Sequence, residues 1–431
     1  MPPEHRQEPE PAQATRDPGG TEVLLVKGQS KTKGSDRGRR LARVGGPIVI
    51  ALLAAACVPS AGADAPPGDG TTVAAKKPAT TSTTAAPTTT TRATVATTPT
   101  TSAPVTTTPP PTAPLPGFGT QFHATWGDYT DAQRVLALDR LKAAGATWVR
   151  IDVGWETLEP SAGSIASWYL RLIEFSVDQA RSRGINVILT LWATPEWASG
   201  SADNTVPPRN PADYGRLAGW LAGHFRGRVA AYEIWNEPDL SGFFQGSPTQ
   251  YVGLLKAAYP TIKAGDPAAK VVGGATEMND DGYLTSVYAA GGRGSFDVWS
   301  THPYMGPSNA APETPDDGND WILDHVRAIR ALMVAKGDGN KPIWFTEFGW
   351  SSHTTAAGAP TWKYGVTQAQ QADYLVRALS FVAANHTYVP VMIWYNERNK
   401  ATGDIHEDNY GLMTRDFQPK PAYTAVQSLL T

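Results

Sequence analysis

The stretch Tyr232-Glu-Ile-Trp-Asn-Glu-Pro238 is a short apolar and aromatic run that ends on a carboxylate, Glu237. A second stretch, Ile343-Trp-Phe-Thr-Glu-Phe-Gly-Trp350, delivers Glu347 in the same way. Both runs have the composition of buried strands, so each predicts a strand with one carboxylate at its C-terminal tip. Two carboxylates at one rim of a barrel are what cleavage of a glycosidic bond requires, one as the acid and the other as nucleophile or base.

The chain on both sides of these stretches alternates short apolar runs with amphipathic segments from residue 117 to residue 431. Eight such alternations predict an α/β fold of the (β/α)8 TIM barrel type rather than a doubly wound sheet. The predicted strands cover residues 117–123, 147–153, 185–191, 229–235, 270–274, 296–301, 342–346 and 389–394. The predicted helices cover residues 131–144, 167–183, 212–225, 249–264, 282–290, 320–335, 368–384 and 421–430.

The N-terminal part of the chain lacks any pattern that could bury a core. Residues 1–45 are polar and basic and are predicted to be a disordered leader. Residues 46–60 form an apolar signal or anchor segment, and residues 61–116 are a Thr/Pro/Ala-rich tether that is predicted to be disordered. The barrel domain is therefore expected to comprise residues 117–431.

The apolar segment predicts export. It follows a basic stretch, spans only about ten residues and ends in small residues before Cys57, which is typical of a secretory signal and too short to cross a bilayer comfortably. Cys57 is a candidate for lipidation, and an uncleaved anchor is the alternative. We expect an extracellular or cell-surface protein that contacts the membrane only through this N-terminal lipid or anchor.

Composition narrows the range of partners. Lys and Arg number 37 against 40 Asp and Glu, a net charge of −3, so a nucleic-acid partner is not expected. The histidines lack tight ligand spacing, and the chain has no Gly-rich phosphate loop and no cysteine nucleophile, so no metal or other cofactor is expected. The 14 Trp and 15 Tyr suit either core packing or stacking on sugar rings. We expect a monomer that binds an oligosaccharide or polysaccharide.

In a barrel of this type the reactive side chains lie at the C-terminal ends of the strands. The polar and aromatic residues at the predicted ends are Arg150, Asn236, Glu237, His302, Tyr304, Glu347 and Trp394. With these residues in this strand order, residues 117–431 resemble the clan of retaining (β/α)8 glycoside hydrolases, most closely families 5 and 39. The resemblance depends on Asn-Glu-Pro at 236–238, Thr-Glu-Phe-Gly-Trp at 346–350 and His-Pro-Tyr at 302–304.

The resemblance implies a role for each matched residue. Glu237 is the acid/base, Glu347 is the nucleophile, and Asn236 contacts the sugar 2-hydroxyl. Arg150 and Tyr304 are expected to keep Glu347 ionised, because a nearby cation and a donated hydrogen bond both favour the charged carboxylate.

The remaining matched residues are expected to shape the sugar subsite. His302 contacts the substrate or a catalytic carboxylate, and Trp394 forms the floor under the sugar. Trp192 and Trp350 are expected in the rim of the cleft.

Several alternatives stay open at this point. Arg150 could pair with a buried acid such as Glu233 instead of Glu347. Family 5 commonly places a His where this chain has Trp192, which leaves family 39 equally open. The domain could also be a non-catalytic carbohydrate-binding module, or a transglycosylase that remodels cell-surface glycan.

Strand periodicity adds two expectations about side-chain direction. Since alternate residues share a face, Ile343, Phe345 and Glu347 are expected to point inward together. Asn236 and Glu237 cannot both do so on a regular strand, so either the strand ends at Trp235 or a bulge intervenes.

Overall fold

The computed structural model describes residues 113–431. The predicted leader, the signal segment with Cys57 and nearly all of the tether lie outside these described residues. Within 113–431, none of the helices combines the length and the hydropathy needed to cross a bilayer.

Eight parallel strands close into a barrel in which each strand pairs with its neighbours in chain order and β8 pairs with β1. This is the predicted (β/α)8 fold. The strands are β1 (Gly117–Gln121), β2 (Trp148–Gly154), β3 (Asn186–Trp192), β4 (Ala231–Ile234), β5 (Lys270–Glu277), β6 (Val298–His302), β7 (Ile343–Phe348) and β8 (Val391–Trp394).

Ten α-helices in the described residues surround or cap the barrel. They are α1 (Asp131–Ala143), α2 (Trp155–Leu158), α3 (Ser167–Ser182), α4 (Glu196–Ser199), α5 (Pro211–His224), α6 (Pro248–Gly265), α7 (Asp281–Ala289), α8 (Val326–Ala335), α9 (Gln368–Asn385) and α10 (Pro421–Leu430). Short 3-10 helices cover Leu323–His325, Thr361–Lys363 and Glu407–Asn409.

Local sequence signals explain where several helices begin. Thr130, Ser247 and Thr367 each accept a hydrogen bond from the third helical residue, and that residue is a Gln whose side chain bonds back. These capping boxes satisfy backbone donors that the first turn leaves without partners.

The helix predictions needed three corrections. The short helices α2 and α4 were missed because four residues are too few to show an amphipathic period. The predicted helix over 320–335 begins only at Val326, after a 3-10 turn.

The barrel has two apolar regions that face opposite sides of the sheet. A small cluster inside the barrel consists of Ile188, Ala231, Val272, Val298, Trp344, Val391 and Ile393. The large cluster lies between the strands and the surrounding helices and includes Ile343, Phe345 and Phe348. The expectation that Ile343 and Phe345 point inward with Glu347 was therefore wrong.

An irregularity in β7 explains how Glu347 nevertheless reaches the barrel interior. Trp344 occupies the inward position, so regular alternation would put Glu347 on the outer face. The register with β8 shifts between Phe345 and Phe348, and this bulge changes the direction of the side chains that follow. A similar shift occurs in β5 between Gly273 and Thr276. The strand continues to Glu277, beyond the predicted end at 274.

Candidate active site

Arg150 on β2 organises the carboxyl-terminal end of the barrel. Its guanidinium is fully buried and donates hydrogen bonds to four side chains, which lie on β1, on β4, just after β4 and on β7. The acceptors and distances are Glu233 Oε2 at 2.7 Å, Gln121 Oε1 at 2.9 Å, Glu347 Oε1 at 2.7 Å and Asn236 Oδ1 at 2.7 Å. Arg150 therefore contacts both Glu347 and Glu233, so the two pairings that the sequence left as alternatives coexist.

Glu233 is the structural partner in this network. Its carboxylate also accepts hydrogen bonds from Thr190 at 2.8 Å and Ser300 at 2.8 Å, and it has no exposure to solvent. Burial alone raises the pKa of a carboxyl, but Arg150 beside it lowers the pKa of Glu233 below the ordinary value. Glu233 therefore carries the negative charge that balances Arg150 below the reactive groups.

Glu347 receives two hydrogen bonds that favour its charged form. Arg150 donates to one oxygen, and the Tyr304 hydroxyl donates to the other at 2.8 Å. Burial is nevertheless the largest influence and raises the pKa of Glu347, while Arg150 acts in the opposite direction. Both predicted contacts to Glu347 are therefore observed. The prediction that they keep this carboxyl ionised did not consider its burial, which raises its pKa.

The backbone after β4 explains how two consecutive side chains enter the same site. The strand ends at Ile234, and both Trp235 (φ 72°) and Glu237 (φ 42°) adopt left-handed conformations. This backbone departs from strand alternation, so Asn236 reaches Arg150 while Glu237 reaches His302 at 2.9 Å. The sequence left open either an end of β4 at Trp235 or a bulge. The structure shows that the strand ends early, at Ile234, one residue before the expected end.

Glu237 lies in an environment that keeps a proton on its carboxyl. Burial raises its pKa to about 8, and the carboxylates of Glu407 and Asp152 add to the effect, while Arg150 opposes it. Burial also lowers the pKa of His302, so the imidazole beside Glu237 is neutral near pH 7. An acid of this kind can donate its proton to a leaving group at neutral pH.

The two glutamates face each other. One carboxylate oxygen of Glu237 and one of Glu347 lie within 4.8 Å, with His302 Nδ1 inside the same distance of both. These three residues could in principle hold a metal ion, but the buried Arg150 bonded to Glu347 already supplies a positive charge there. The arrangement suits two carboxylates that act on one bond between them.

Residues 106–400 match the sequence profile of the family described as Cellulase (glycosyl hydrolase family 5). The chain belongs to this family. The match covers most of the chain and includes both glutamates, and it bears out the predicted resemblance to the family 5 and family 39 clan.

Proteins similar to this family 5 chain include members of family 39 and of family 5. A curated β-xylosidase of Caldicellulosiruptor saccharolyticus is 25% identical over 239 residues, which are 52% of this chain and 47% of that protein. A family 39 glycoside hydrolase structure from Bacteroides cellulosilyticus WH2 has a TM-score of 0.58 at 24% identity and covers 73% of this chain and 64% of the other. The structure of GH5_18 from Streptomyces cattleya in complex with GlcNAc has a TM-score of 0.56 at 17% identity, covering 74% and 80%.

The chain spans about half of the length of the curated relatives it matches, with 47% and 46% covered. At these identities the structural likeness establishes the barrel fold and leaves substrate choice to the residues of the cleft.

Two of the predicted sugar-contacting tryptophans do not face the cleft of the family 5 domain. Trp394 is fully buried, packs edge-on against Phe348 at 5.3 Å and donates from Nε1 to the Tyr410 carbonyl. Trp350 is 1% exposed and packs beside it. Both predictions were wrong because these rings fill the space between β8, β7 and the surrounding loops.

Trp192 remains at the rim. Its ring is partly exposed at the end of β3 and lies 5.9 Å from the ring of Phe243. Tyr304, Tyr395 and Tyr410 form a second aromatic group around Glu347, with ring centroids 5.5–6.3 Å apart.

Sequence reasoning missed several acidic and amide side chains in the site. Gln121 bonds both Arg150 and Asp152. Glu277 lies close enough to Glu237 that burial and the charge of Glu237 raise the pKa of Glu277 to about 8. Each is the last residue of its strand, β1 and β5. The predicted strands ended elsewhere, so a correct boundary would have revealed both.

Proposed function

We propose that the barrel is a retaining glycosidase that hydrolyses O-glycosidic bonds of a β-linked oligosaccharide or polysaccharide. The observation that carries this proposal is that one carboxylate oxygen of Glu237 and one of Glu347 lie within 4.8 Å of each other. Retaining enzymes hold the two carboxyls about 5–5.5 Å apart, whereas inverting enzymes leave about 6.5–9.5 Å for a water molecule.

In the proposed first step, Glu347 attacks the anomeric carbon as Glu237 protonates the leaving oxygen. Arg150 and Tyr304 position and stabilise the attacking carboxylate through one hydrogen bond to each oxygen. Asn236, which Arg150 holds at 2.7 Å, is placed to bind the sugar 2-hydroxyl as positive charge develops on the ring. In the second step Glu237 takes a proton from water, and the water releases the sugar from Glu347.

The charges around the cleft favour a neutral substrate. Glu407 and Asp152 add negative charge near Glu237, so a uronic acid would meet electrostatic repulsion. Because the curated relatives are named β-xylosidases, a β-xyloside is the first substrate to test.

Product stereochemistry tests this proposal. The full chain is incubated with p-nitrophenyl β-D-xyloside, β-D-glucoside and β-D-mannoside, and the first-formed sugar is observed by 1H NMR before mutarotation. The proposal predicts the β-anomer, and the Glu347→Gln variant should form neither anomer. An α-anomer as first product would mean inversion, and failure to cleave any β-linked aryl glycoside or β-glycan would remove the activity itself.

Export is a separate proposal that depends on the sequence of residues 46–60. We propose that this segment directs the protein to the cell surface and that Cys57 carries a lipid. Metabolic labelling with an alkyne palmitate analogue should label the wild type and leave Cys57→Ala unlabelled. Equal labelling of both proteins, or none, would leave the segment as an ordinary signal or an uncleaved anchor.

A further inference from the structure

A second group of titratable side chains lies outside the active site, between the loops that follow β5 and β6. Asp281 is the first residue of α7, and Asp320 lies in the loop after β6, which ends in the 3-10 turn containing His325. One oxygen of each carboxylate and one ring nitrogen of His325 all lie within 4.8 Å of one another. These three residues are called the loop cluster below.

The histidine of the loop cluster is buried and directed into the cluster. His325 is 6% exposed, and its Nδ1 lies 2.9 Å from Asp316 Oδ1. Its Nε2 is buried and has no hydrogen-bond partner among residues 113–431. That nitrogen instead faces Asp281 Oδ1 at 3.8 Å and Asp320 Oδ1 at 3.9 Å, distances too long for hydrogen bonds.

The contact with Asp316 assigns the tautomer of the ring. A carboxylate accepts a hydrogen bond, so Nδ1 carries the proton and Nε2 of the neutral imidazole presents its lone pair. Metal-binding histidines commonly have this arrangement, in which the second ring nitrogen donates to a carboxylate. A lone pair that faces two carboxylates is repelled by both unless a cation lies between them.

No charge within the described part of the chain balances the loop cluster. Among residues 113–431, neither the Asp281 nor the Asp320 carboxylate accepts a hydrogen bond or pairs with a Lys or Arg. The neighbouring Asp280 adds a third carboxylate, which accepts a hydrogen bond from the backbone N–H of Tyr283 in the first turn of α7. Three carboxylates and one imidazole therefore converge with their negative charge uncompensated.

We propose that Asp281, Asp320 and His325 bind a divalent transition-metal ion of the zinc type. An imidazole nitrogen with two carboxylate oxygens is a ligand set that suits Zn2+, whereas Ca2+ and Mg2+ prefer oxygen alone. Bonds of about 2.0–2.2 Å place two ligands of a tetrahedral ion roughly 3.3–3.6 Å apart, so each carboxylate oxygen would approach His325 Nε2 by about 0.2–0.6 Å. Asp316 is the positioning residue that orients the ring.

The ion would join two loops at the rim of the active site. The backbone N–H of Asn279 already donates to the Asp320 carbonyl at 3.1 Å, which aligns the two segments. The first of these loops follows Glu277, and the second begins immediately before Tyr304, the residue that donates to Glu347. Partial exposure of Asp281 and Asp320 gives the ion a path from solvent.

Calorimetry on the full chain tests the site. The protein is treated with EDTA, dialysed and titrated with ZnCl2, and wild type is compared with Asp281→Asn, His325→Ala and Asp316→Asn. Because Asp281 is about half exposed, its isosteric variant should fold normally even if His325→Ala does not, and circular dichroism checks this. Two variants serve as controls. His224→Gln removes another histidine that is bonded to a carboxylate, and Glu237→Gln removes one member of the active-site cluster.

We expect one zinc equivalent to be lost or weakened at least tenfold in Asp281→Asn and His325→Ala and to persist in both controls. Asp316→Asn should weaken it by about 10–100-fold, the usual effect of removing a partner of a metal-binding histidine. Crystals soaked in ZnCl2 should show an anomalous peak bonded to His325 Nε2. Absence of zinc binding, unchanged binding in Asp281→Asn, or a peak only at Glu237 and Glu347 would each overturn the proposal.

Discussion

Arg150 and Glu347 form a 2.7 Å ion pair inside the barrel, and the guanidinium has no exposure to solvent. The same guanidinium bonds Glu233 at 2.7 Å, so one buried cation holds a structural and a reactive carboxylate together. The proposed nucleophile, Glu347, is thus held in place by the same buried cation that pairs with Glu233.

Arg150→Met should lower the free energy of unfolding by about 3–5 kcal/mol, because Glu233 is left buried without a counter-charge. Urea denaturation followed by circular dichroism measures the loss. Arg171→Met, which removes an exposed pair with Asp131, should cost less than about 1 kcal/mol. Adding Glu233→Gln to Arg150→Met should recover part of the loss, and equal stability of Arg150→Met and Arg171→Met would contradict this account of the network.

Glu237→Ala should separate substrates by leaving group, because a good leaving group does not need the acid. Hydrolysis of unactivated β-glycosides should fall by roughly 10²–10⁴-fold. Release of 2,4-dinitrophenol should retain a fast first phase, and added azide should yield a β-glycosyl azide. Steady-state and burst kinetics with NMR of the azide product provide the check. Equal losses for activated and unactivated substrates would remove Glu237 from the acid role.

The alkaline limb of kcat/KM should report the proton on Glu237. The acid acts in its protonated form, so activity should fall as pH rises through the pKa of about 8. Glu407→Gln removes a carboxylate whose charge raises that pKa, so the limb should move to lower pH. Glu174→Gln, on the outer face of the domain, is the control and should leave the profile unchanged. A limb that stays in place or moves upward in Glu407→Gln would show that the charge of Glu407 does not raise the pKa of Glu237.

The two kinds of tryptophan should respond differently to removal. Trp192→Ala should raise KM by about 2–10-fold with little change in Tm, since a partly exposed ring at the rim can stack on a sugar. Trp394→Ala should instead destabilise the fold by about 3–5 kcal/mol, because its ring is fully buried. Trp220→Ala is the control, because this ring is exposed on α5. It should change neither KM nor the stability of the fold. An unchanged KM in Trp192→Ala would exclude that ring from the substrate site.

The barrel was predictable from the chain because each strand is a short apolar run with a helix-forming stretch after it. The positions of Glu237 and Glu347 at strand ends followed from the same pattern. Side-chain direction near those ends did not follow, since bulges in β5 and β7 and the left-handed backbone at Trp235 break the alternation. Those irregularities explain why Glu277 was missed and why Ile343 and Phe345 were assigned to the wrong face.

Aromatic residues were predicted less well for a different reason. Trp192, Trp350 and Trp394 all lie at or just beyond strand ends, and sequence alone does not separate a ring that faces the cleft from one that fills the space behind it. The long loops after β7 and β8 determine which rings face the cleft. The conformation of these loops cannot be predicted from a periodic sequence pattern.

Covalent trapping on Glu347 tests the central claim most directly. The enzyme is incubated with the 2,4-dinitrophenyl 2-deoxy-2-fluoro-β-glycoside of whichever sugar it cleaves, then digested and analysed by mass spectrometry. We expect one stoichiometric adduct on the peptide that contains Glu347, and no adduct in Glu347→Gln. An adduct on another residue, or turnover with inversion and no adduct at all, would contradict it.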